Sequence, residues 1–142
     1  EGMSVFFASE EVGNEGRESV KTLFNSCGSC LEVKNEDAID AATAISGSGP
    51  GYLFYFAEQM LLSANSLGFN EVEAHSLVQQ TFRGATLLWE SQQVSPKTLR
   101  QQVSSPGGTT LAALNHFQSK NVGESIQEGM RQAYRRAKEL SS

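Results

Sequence analysis

Residues 50–67 read PGYLFYFAEQMLLSANSL and decide which class of fold the chain can adopt. Pro50 suits the first turn of a helix, where its missing N–H costs nothing, and Gly68 is a typical residue just beyond a helix end. Between them, apolar side chains surround the expected helix instead of forming one stripe. Such a helix is buried on several sides, which one small domain can hardly provide. We therefore expect a second chain, interlocked with the first, to supply part of the burial.

Helical patterns continue on both sides of this segment, with apolar residues at steps of three and four. The expected caps or first residues of the neighbouring helices are Asn35, Asn70 with Glu73 as a capping box, Ser95 before Pro96, and Thr109. The helix after Asn35 is expected to end at the small-residue run 46–49, and a last helix carries Ile126 and Met130. From residue 36 onward we predict an all-helical domain of about six helices.

Residues 1–35 show a different pattern. The apolar run 4–8 predicts a strand, residues 17–26 predict a helix, and residues 31–33 predict a second strand. Such a unit normally belongs to a parallel sheet, and two strands are too few to stand alone. The chain is thus predicted to be mainly α, preceded by a short strand-helix-strand remnant of an α/β domain.

Composition argues against two classes of protein. The 142 residues include 11 Lys and Arg against 16 Asp and Glu, a net charge of −5, which does not suit a protein that grips phosphate backbones. The most apolar stretch, residues 52–57, falls far short of the roughly 20 residues needed to cross a bilayer. No basic segment followed by an apolar run opens the sequence, so we expect a cytoplasmic protein without nucleic-acid or membrane partners.

The cysteines and histidines give only weak indications of a redox or metal site. Cys27 and Cys30 resemble a thiol redox motif, but such a motif needs its first cysteine at a helix N-terminus. Here the pair follows a predicted helix and precedes a strand, so a tight connection is the favoured interpretation. No second ligand pair supports zinc, and His75 and His116 are interpreted as solvated side chains. We expect no metal.

Two glycine-rich segments, residues 44–52 and 103–110, each precede an expected helix start. There, free N–H groups and the positive end of the helix dipole can hold an anion, although a turn with a cap is the favoured explanation of either segment taken alone. The second segment combines two serines, two threonines and a glycine pair, a dense set of donors. A carboxylate is its natural ligand.

Three stretches closely resemble the C-terminal half of the pyrroline-5-carboxylate reductase family. They read SGSGPGY at 46–52, QTFRGA at 80–85 and LRQQVSSPGGTTLAAL at 99–114. The resemblance covers about residues 30–140, and the serine, proline and double-glycine string is its most specific part. Gly51 departs from the family pattern, in which alanine is usual.

The resemblance implies an enzyme that reduces 1-pyrroline-5-carboxylate to L-proline with a hydride from NADPH or NADH. It implies that residues 1–35 are the tail of a Rossmann-like dinucleotide-binding domain and that residues 36–142 form a dimerisation and substrate-binding domain. A homodimer with interlocked helices is expected, with a larger ring as a further option. Because no Gly-x-Gly-x-x-Gly loop follows a strand here, we expect a part of a longer protein that is inactive by itself.

The resemblance also implies roles for individual residues. Thr110 is expected to be catalytic, by a hydrogen bond near the ring nitrogen of the substrate. The expected substrate-binding residues are Ser105, Gly107, Gly108 and Thr109, and the expected cofactor-facing residues are Ser46, Gly47 and Ser48.

Two alternatives remain open from the sequence. The first is a non-catalytic helical dimerisation module that has lost its cofactor domain; unlike a substrate-binding half, it would not bind proline. The second is a hydroxyacid or imine reductase of the same architecture, but the catalytic Lys or Asp that such helical domains usually carry finds no clear place here.

Overall fold

The computed structural model describes residues 2–141 and is mainly helical. Its elements are strand β1 Gly2–Phe7, helix α1 Asn14–Asn25, strand β2 Gly28–Val33, helices α2 Asp37–Ala42, α3 Gly49–Ser66, α4 Glu71–Gln92, α5 Pro96–Gln102, α6 Thr109–Ser119 and α7 Val122–Ser141, with a π-helical turn at Thr43–Gly47. Within the described residues, six α-helices follow the strand-helix-strand start. The predicted fold class is confirmed.

The chain separates into two compact units. One comprises Glu1–Gly51 with Ile126–Ser142, and the other comprises Tyr52–Ser125. Residues 44–51 of the first glycine-rich segment therefore belong to the first unit, and the segment before α6 belongs to the second.

The first unit holds the sheet. β1 and β2 are parallel and in register from Gly2 opposite Gly28 to Phe7 opposite Val33, which requires a crossover connection that α1 provides. At the other end of the chain, α7 is tied to α2 because Lys138 Nζ lies 3.3 Å from Asp37 Oδ1. Hydrogen bonding to Asp37 raises the pKa of Lys138 above its usual value.

The second unit is built on α3 and α4. The predicted capping box is confirmed at the start of α4, where the Glu73 N–H donates to Asn70 Oδ1 at 3.0 Å and the Asn70 N–H donates to Glu73 Oε2 at 2.9 Å. Ser95 Oγ likewise accepts from the Thr98 N–H at the start of α5, with Pro96 as its first residue. Ala74 and Val78 of α4 are buried.

Two sequence expectations are wrong in detail. The run 46–49 does not end a helix, because the π-helical turn carries the chain from α2 to α3 with only Ser48 between them. The hydroxyl of Ser46 donates back to the Ala42 carbonyl at 3.0 Å, so this serine bonds within the helix instead of stopping it. Thr109 is the first residue of α6 and not its cap; Gly108 holds the capping position, without a side-chain bond.

The helices of residues 2–141 include none that is both long and apolar enough to span a bilayer.

Candidate functional site

The segment before α6 is a tight turn. The Gly108 N–H donates to the Ser105 carbonyl at 3.0 Å, which closes a four-residue turn around Pro106 and Gly107. Gly107 has φ = 71°, in the left-handed region. Proline at the second position and a positive φ at the third are the signature of a type II turn, so the sequence of this turn dictates its geometry.

Gly108 is required by close approach. A Cβ atom at this position would lie 2.6 Å from Ser105 Oγ and 3.1 Å from the Ser105 carbonyl oxygen. The absence of a side chain at Gly108 thus lets the hydroxyl of Ser105 sit directly beside the start of α6.

The first turn of α6 supplies a group of free donors. Ala112 is the first residue of α6 whose N–H pairs back, to the Gly108 carbonyl at 3.2 Å, so the N–H groups of Thr109, Thr110 and Leu111 lack an intrahelical acceptor. No hydrogen bond within residues 2–141 engages the hydroxyls of Ser105, Thr109 or Thr110, all of them exposed residues. The positive end of the helix dipole adds to these donors, so the turn can bind an anion.

The turn thus brings together Ser105, Gly107, Thr109 and Thr110. The N–H of Gly108, however, is already donated within the turn. Sequence reasoning overlooked the N–H groups of Thr110 and Leu111 as donors. The Pro106–Gly107 pair could have revealed that the Gly108 N–H is used, because a type II turn uses the N–H of its fourth residue.

The first glycine-rich segment is not an open loop. Within it, the Ser48 N–H donates to the Thr43 carbonyl at 2.8 Å and the Gly51 N–H donates to the Ser48 carbonyl at 3.0 Å. Ser46 and Ser48 are half-buried, and Gly47 is exposed. The expectation of a loop with free N–H groups is wrong here, and the segment instead offers hydroxyl groups on a π-helical turn, a feature common at functional sites.

The other candidate residues lie apart. Cys27 occupies the connection between α1 and β2, as predicted, and its thiol donates to the Phe24 carbonyl at 3.3 Å. Cys30 is half-buried in β2, and both thiols are free. His75 and His116 are exposed on α4 and α6. Residues 2–141 contain no group of three His, Cys, Asp or Glu side chains placed to hold a metal ion.

Large apolar side chains are exposed on both long helices of the second unit. Phe54 and Tyr55 of α3 are 73% and 67% exposed, and Trp89 of α4 is 53% exposed. The accessible surface of the chain is 10929 Å². A globular protein of this mass exposes about 7,200 Å², and two separate bodies of half that mass would expose about 8,700 Å² together. Large apolar side chains that are exposed together in this way are typical of an interaction surface.

The model of the family described as "Pyrroline-5-carboxylate reductase dimerisation" matches residues 36–140. The chain belongs to the pyrroline-5-carboxylate reductase dimerisation family. The matched range holds α2 to α6 and nearly all of α7, including the type II turn.

Individual pyrroline-5-carboxylate reductases are similar over the whole chain. The Pseudomonas aeruginosa protein is 35% identical over 141 residues, which is 99% of this chain and 52% of that protein. The Haemophilus influenzae protein is 34% identical over 100% of this chain and 53% of its own length. The chain therefore spans about half the length of the curated relatives it matches.

Solved structures of these reductases share the fold. A pyrroline-5-carboxylate reductase from Coxiella burnetii matches with a TM-score of 0.93 and 35% identity, over 99% of this chain and 52% of that one. A Plasmodium falciparum pyrroline carboxylate reductase with NADP bound matches with a TM-score of 0.86 and 28% identity, over 97% of this chain and 53% of that one.

Proposed function

We propose that this chain is the substrate-binding and dimerisation half of a reductase that converts 1-pyrroline-5-carboxylate to L-proline with a hydride from NADPH or NADH. The observation that carries the proposal is the type II turn before α6, which assembles three unengaged hydroxyls and the free N–H groups of a helix N-terminus. Membership of the family supports the same reaction. In this proposal residues 1–35 are the tail of a Rossmann-like dinucleotide-binding domain, and residues 36–142 form the helical domain.

The turn would hold the carboxylate of the substrate. Ser105 offers its hydroxyl, and Gly107 and Thr109 offer backbone N–H groups that no hydrogen bond within residues 2–141 uses. Gly108 contributes differently, because its N–H fixes the turn and its missing side chain makes room for Ser105. Hydrogen bonds from such groups to an anion are shorter and stronger than neutral ones.

Thr110 would act on the ring nitrogen. It lies one residue further into the first turn of α6 than Thr109, with an exposed and unengaged hydroxyl. A hydrogen bond from this hydroxyl would orient the imine relative to the bound carboxylate. Positioning of this kind is the main task of a protein in hydride transfer.

The π-helical turn suits the nicotinamide end of a dinucleotide. The Ser46 hydroxyl donates a hydrogen bond to the Ala42 carbonyl, which leaves its oxygen lone pairs available. Gly47 beside it is exposed and carries no side chain. A flat amide-bearing ring can approach such a surface closely. When bound, the nicotinamide supplies the hydride; Ser46, Gly47 and Ser48 would hold its amide face.

A homodimer would cover the exposed side chains of α3 and α4. Interlocked helices are the arrangement that buries a helix on several sides, as α3 requires. Assembly of such dimers into a larger ring is a further part of the proposal. The sedimentation measurement described next also tests it.

The first test is sedimentation velocity of the purified chain, followed by thermal unfolding with increasing L-proline. We expect a dimer, or a multiple of it, whose melting temperature rises with proline because proline binds only the folded state. Ser105→Ala should abolish most of this rise. Ser104→Ala is the matched control, since the Ser104 hydroxyl is already donated to the Arg100 carbonyl at 2.6 Å.

Three outcomes are informative. A dimer that ignores proline would favour the non-catalytic module. A monomer that ignores proline would refute both the interlocked helices and the substrate site. A proline response that Ser104→Ala removes and Ser105→Ala leaves intact would refute the assignment of the turn.

Catalysis is tested in a chimera that joins the unmatched portion of the Pseudomonas aeruginosa relative to residues 1–142. We expect NADPH oxidation that depends on 1-pyrroline-5-carboxylate. Thr110→Ala should lower kcat/KM by about tenfold or more, and Thr110→Ser should restore most of it. A Thr110→Ala chimera within twofold of the parent would remove Thr110 from the site.

A further inference from the structure

One arginine in the first unit makes an unusual number of contacts with a single loop. The β1–α1 loop, residues 8–13, receives three hydrogen bonds from the guanidinium of Arg17. Its Nη2 donates to the carbonyls of Ala8 at 3.2 Å and Ser9 at 2.9 Å, and its Nε donates to the carbonyl of Val12 at 3.1 Å. The Nη1 of the same side chain pairs with the Glu32 carboxylate on β2.

Backbone contacts contribute less to the loop. The Val12 N–H donates to the Ser9 carbonyl at 3.1 Å, which closes one turn within the loop. The Val12 side chain also rests on α1 where Gly16 has no Cβ; a Cβ there would lie 3.0 Å from Val12 Cγ1. At the end of the loop, the Gly13 carbonyl accepts from the Arg17 N–H at 3.2 Å. Apart from this bond, the loop is seated on the first turn of α1 by one side chain and one apolar contact.

The ion pair is the less important half of the arrangement. Glu32 has a second cation, because Lys21 Nζ lies 3.3 Å from its other oxygen. Partial burial opposes ionisation of Glu32, but hydrogen bonds from Arg17 and Lys21 outweigh it and hold the pKa of Glu32 below its usual value. Glu32 thus has a partner without Arg17, whereas the carbonyls of Ala8 and Val12 lose theirs and the Ser9 carbonyl keeps only the Val12 N–H.

We propose that Arg17 is a clamp that keeps the β1–α1 loop closed on α1, and that its carbonyl contacts, not its ion pair with Glu32, hold the loop. The loop then forms the unit that opens first when the clamp is removed, while α1 and the parallel strands stay folded. Only a planar guanidinium with divergent N–H groups reaches several carbonyls at once, so lysine cannot replace it.

Limited proteolysis with an endoproteinase that cleaves after glutamate tests the clamp, because Glu10 and Glu11 lie in the loop. The parent is compared with Arg17→Lys, Arg17→Gln and Glu32→Gln by intact mass of the fragments. We expect both Arg17 variants to be cut after Glu10 or Glu11 about tenfold faster or more than the parent, with a much smaller effect of Glu32→Gln.

Cleavage after Glu15 and Glu18 within α1 serves as the internal control and should not accelerate. Equal acceleration in Glu32→Gln and Arg17→Gln would overturn the proposal in favour of the ion pair. Cleavage of Arg17→Lys as slow as that of the parent would show that a positive charge alone holds the loop, and would overturn the proposal. If a variant is cut throughout α1, hydrogen exchange of the loop and β2 amides in Arg17→Lys decides: loss of protection confined to residues 8–13 supports the clamp, and loss across β2 refutes it.

Discussion

Substitution of the two glycines in the type II turn separates the shape of the turn from the position of its hydroxyl. Gly107→Ala adds a methyl group that meets nothing within 4 Å, but it places alanine at φ = 71°. The left-handed conformation costs a non-glycine residue about 1–2 kcal/mol. We expect this variant to lose stability by that amount while it retains its response to L-proline.

Gly108→Ala should instead weaken the response to L-proline without backbone strain. Its φ of −78° is ordinary for alanine, so the backbone carries no strain. The new Cβ would lie 2.6 Å from Ser105 Oγ, which must rotate away, and 3.1 Å from the Ser105 carbonyl oxygen, which must shift by a few tenths of an ångström. Because Oγ is the end of a short side chain, the loss of stability should be no more than about 1–3 kcal/mol.

The larger consequence concerns ligand binding. If Ser105 holds the carboxylate of proline, its displacement removes one charge-assisted hydrogen bond of about 1.5–3 kcal/mol, which weakens binding by roughly tenfold to a hundredfold. Isothermal titration with L-proline, alongside urea unfolding, measures both quantities in each variant. A Gly108→Ala chain that binds proline as tightly as the parent would refute the role of Ser105, and a Gly107→Ala chain of unchanged stability would refute the turn geometry.

Three further predictions address the rest of the chain. Asn70→Ala should lower the free energy of unfolding by about 1 kcal/mol in urea titrations, because it removes the side-chain cap of α4; an unchanged midpoint would contradict the capping box. Hydrogen bonds from Arg131 and Gln132 lower the pKa of Glu128, so its contribution is present at neutral pH and is lost as the pH falls through its folded pKa. The difference in melting temperature between the parent and Glu128→Gln should therefore shrink between about pH 6 and pH 3, and a constant difference would contradict this sign. Phe54→Glu, at an exposed position of α3, should dissociate the proposed dimer in sedimentation runs; Leu23→Glu, equally exposed on α1, is the control and should not.

The start signals of the helices could be predicted because they are local. Asn70 and Glu73 satisfy each other across one turn, and Ser95 with Pro96 begins α5 by the same short-range chemistry. Composition and periodicity alone separate the strand-helix-strand start from the helical remainder, since a period near 3.6 and an apolar run of five residues are visible without any tertiary contact.

The details that escaped prediction depend on competition between partners. Ser46 and Gly47 resemble a helix end by composition, but the Ser46 hydroxyl bonds back to Ala42 and the Ser48 N–H to Thr43, so the chain stays helical through a π-turn. Thr109 has a capping side chain, yet the type II turn places Gly108 at the capping position first. In both cases a hydrogen bond between residues three to five positions apart decides the outcome. Pro106 and Gly107 indicate the bond that closes the type II turn, whereas no residue type indicates the bonds of the π-turn.

The burial of the chain connects its stability to its proposed assembly. Ala44, Ala74 and Val78 are the buried apolar side chains of residues 2–141, and all three are small. Ordering a backbone costs about 1–2 kcal/mol per residue, which burial of larger apolar side chains must offset. Those larger side chains exist on α3 and α4 but face outward in the single chain. If a second copy covers them, folding and association are one event, because the apolar surface that stabilises each protomer is buried only in the pair. The same long helices that leave this chain short of a core would then be the reason it folds as a dimer.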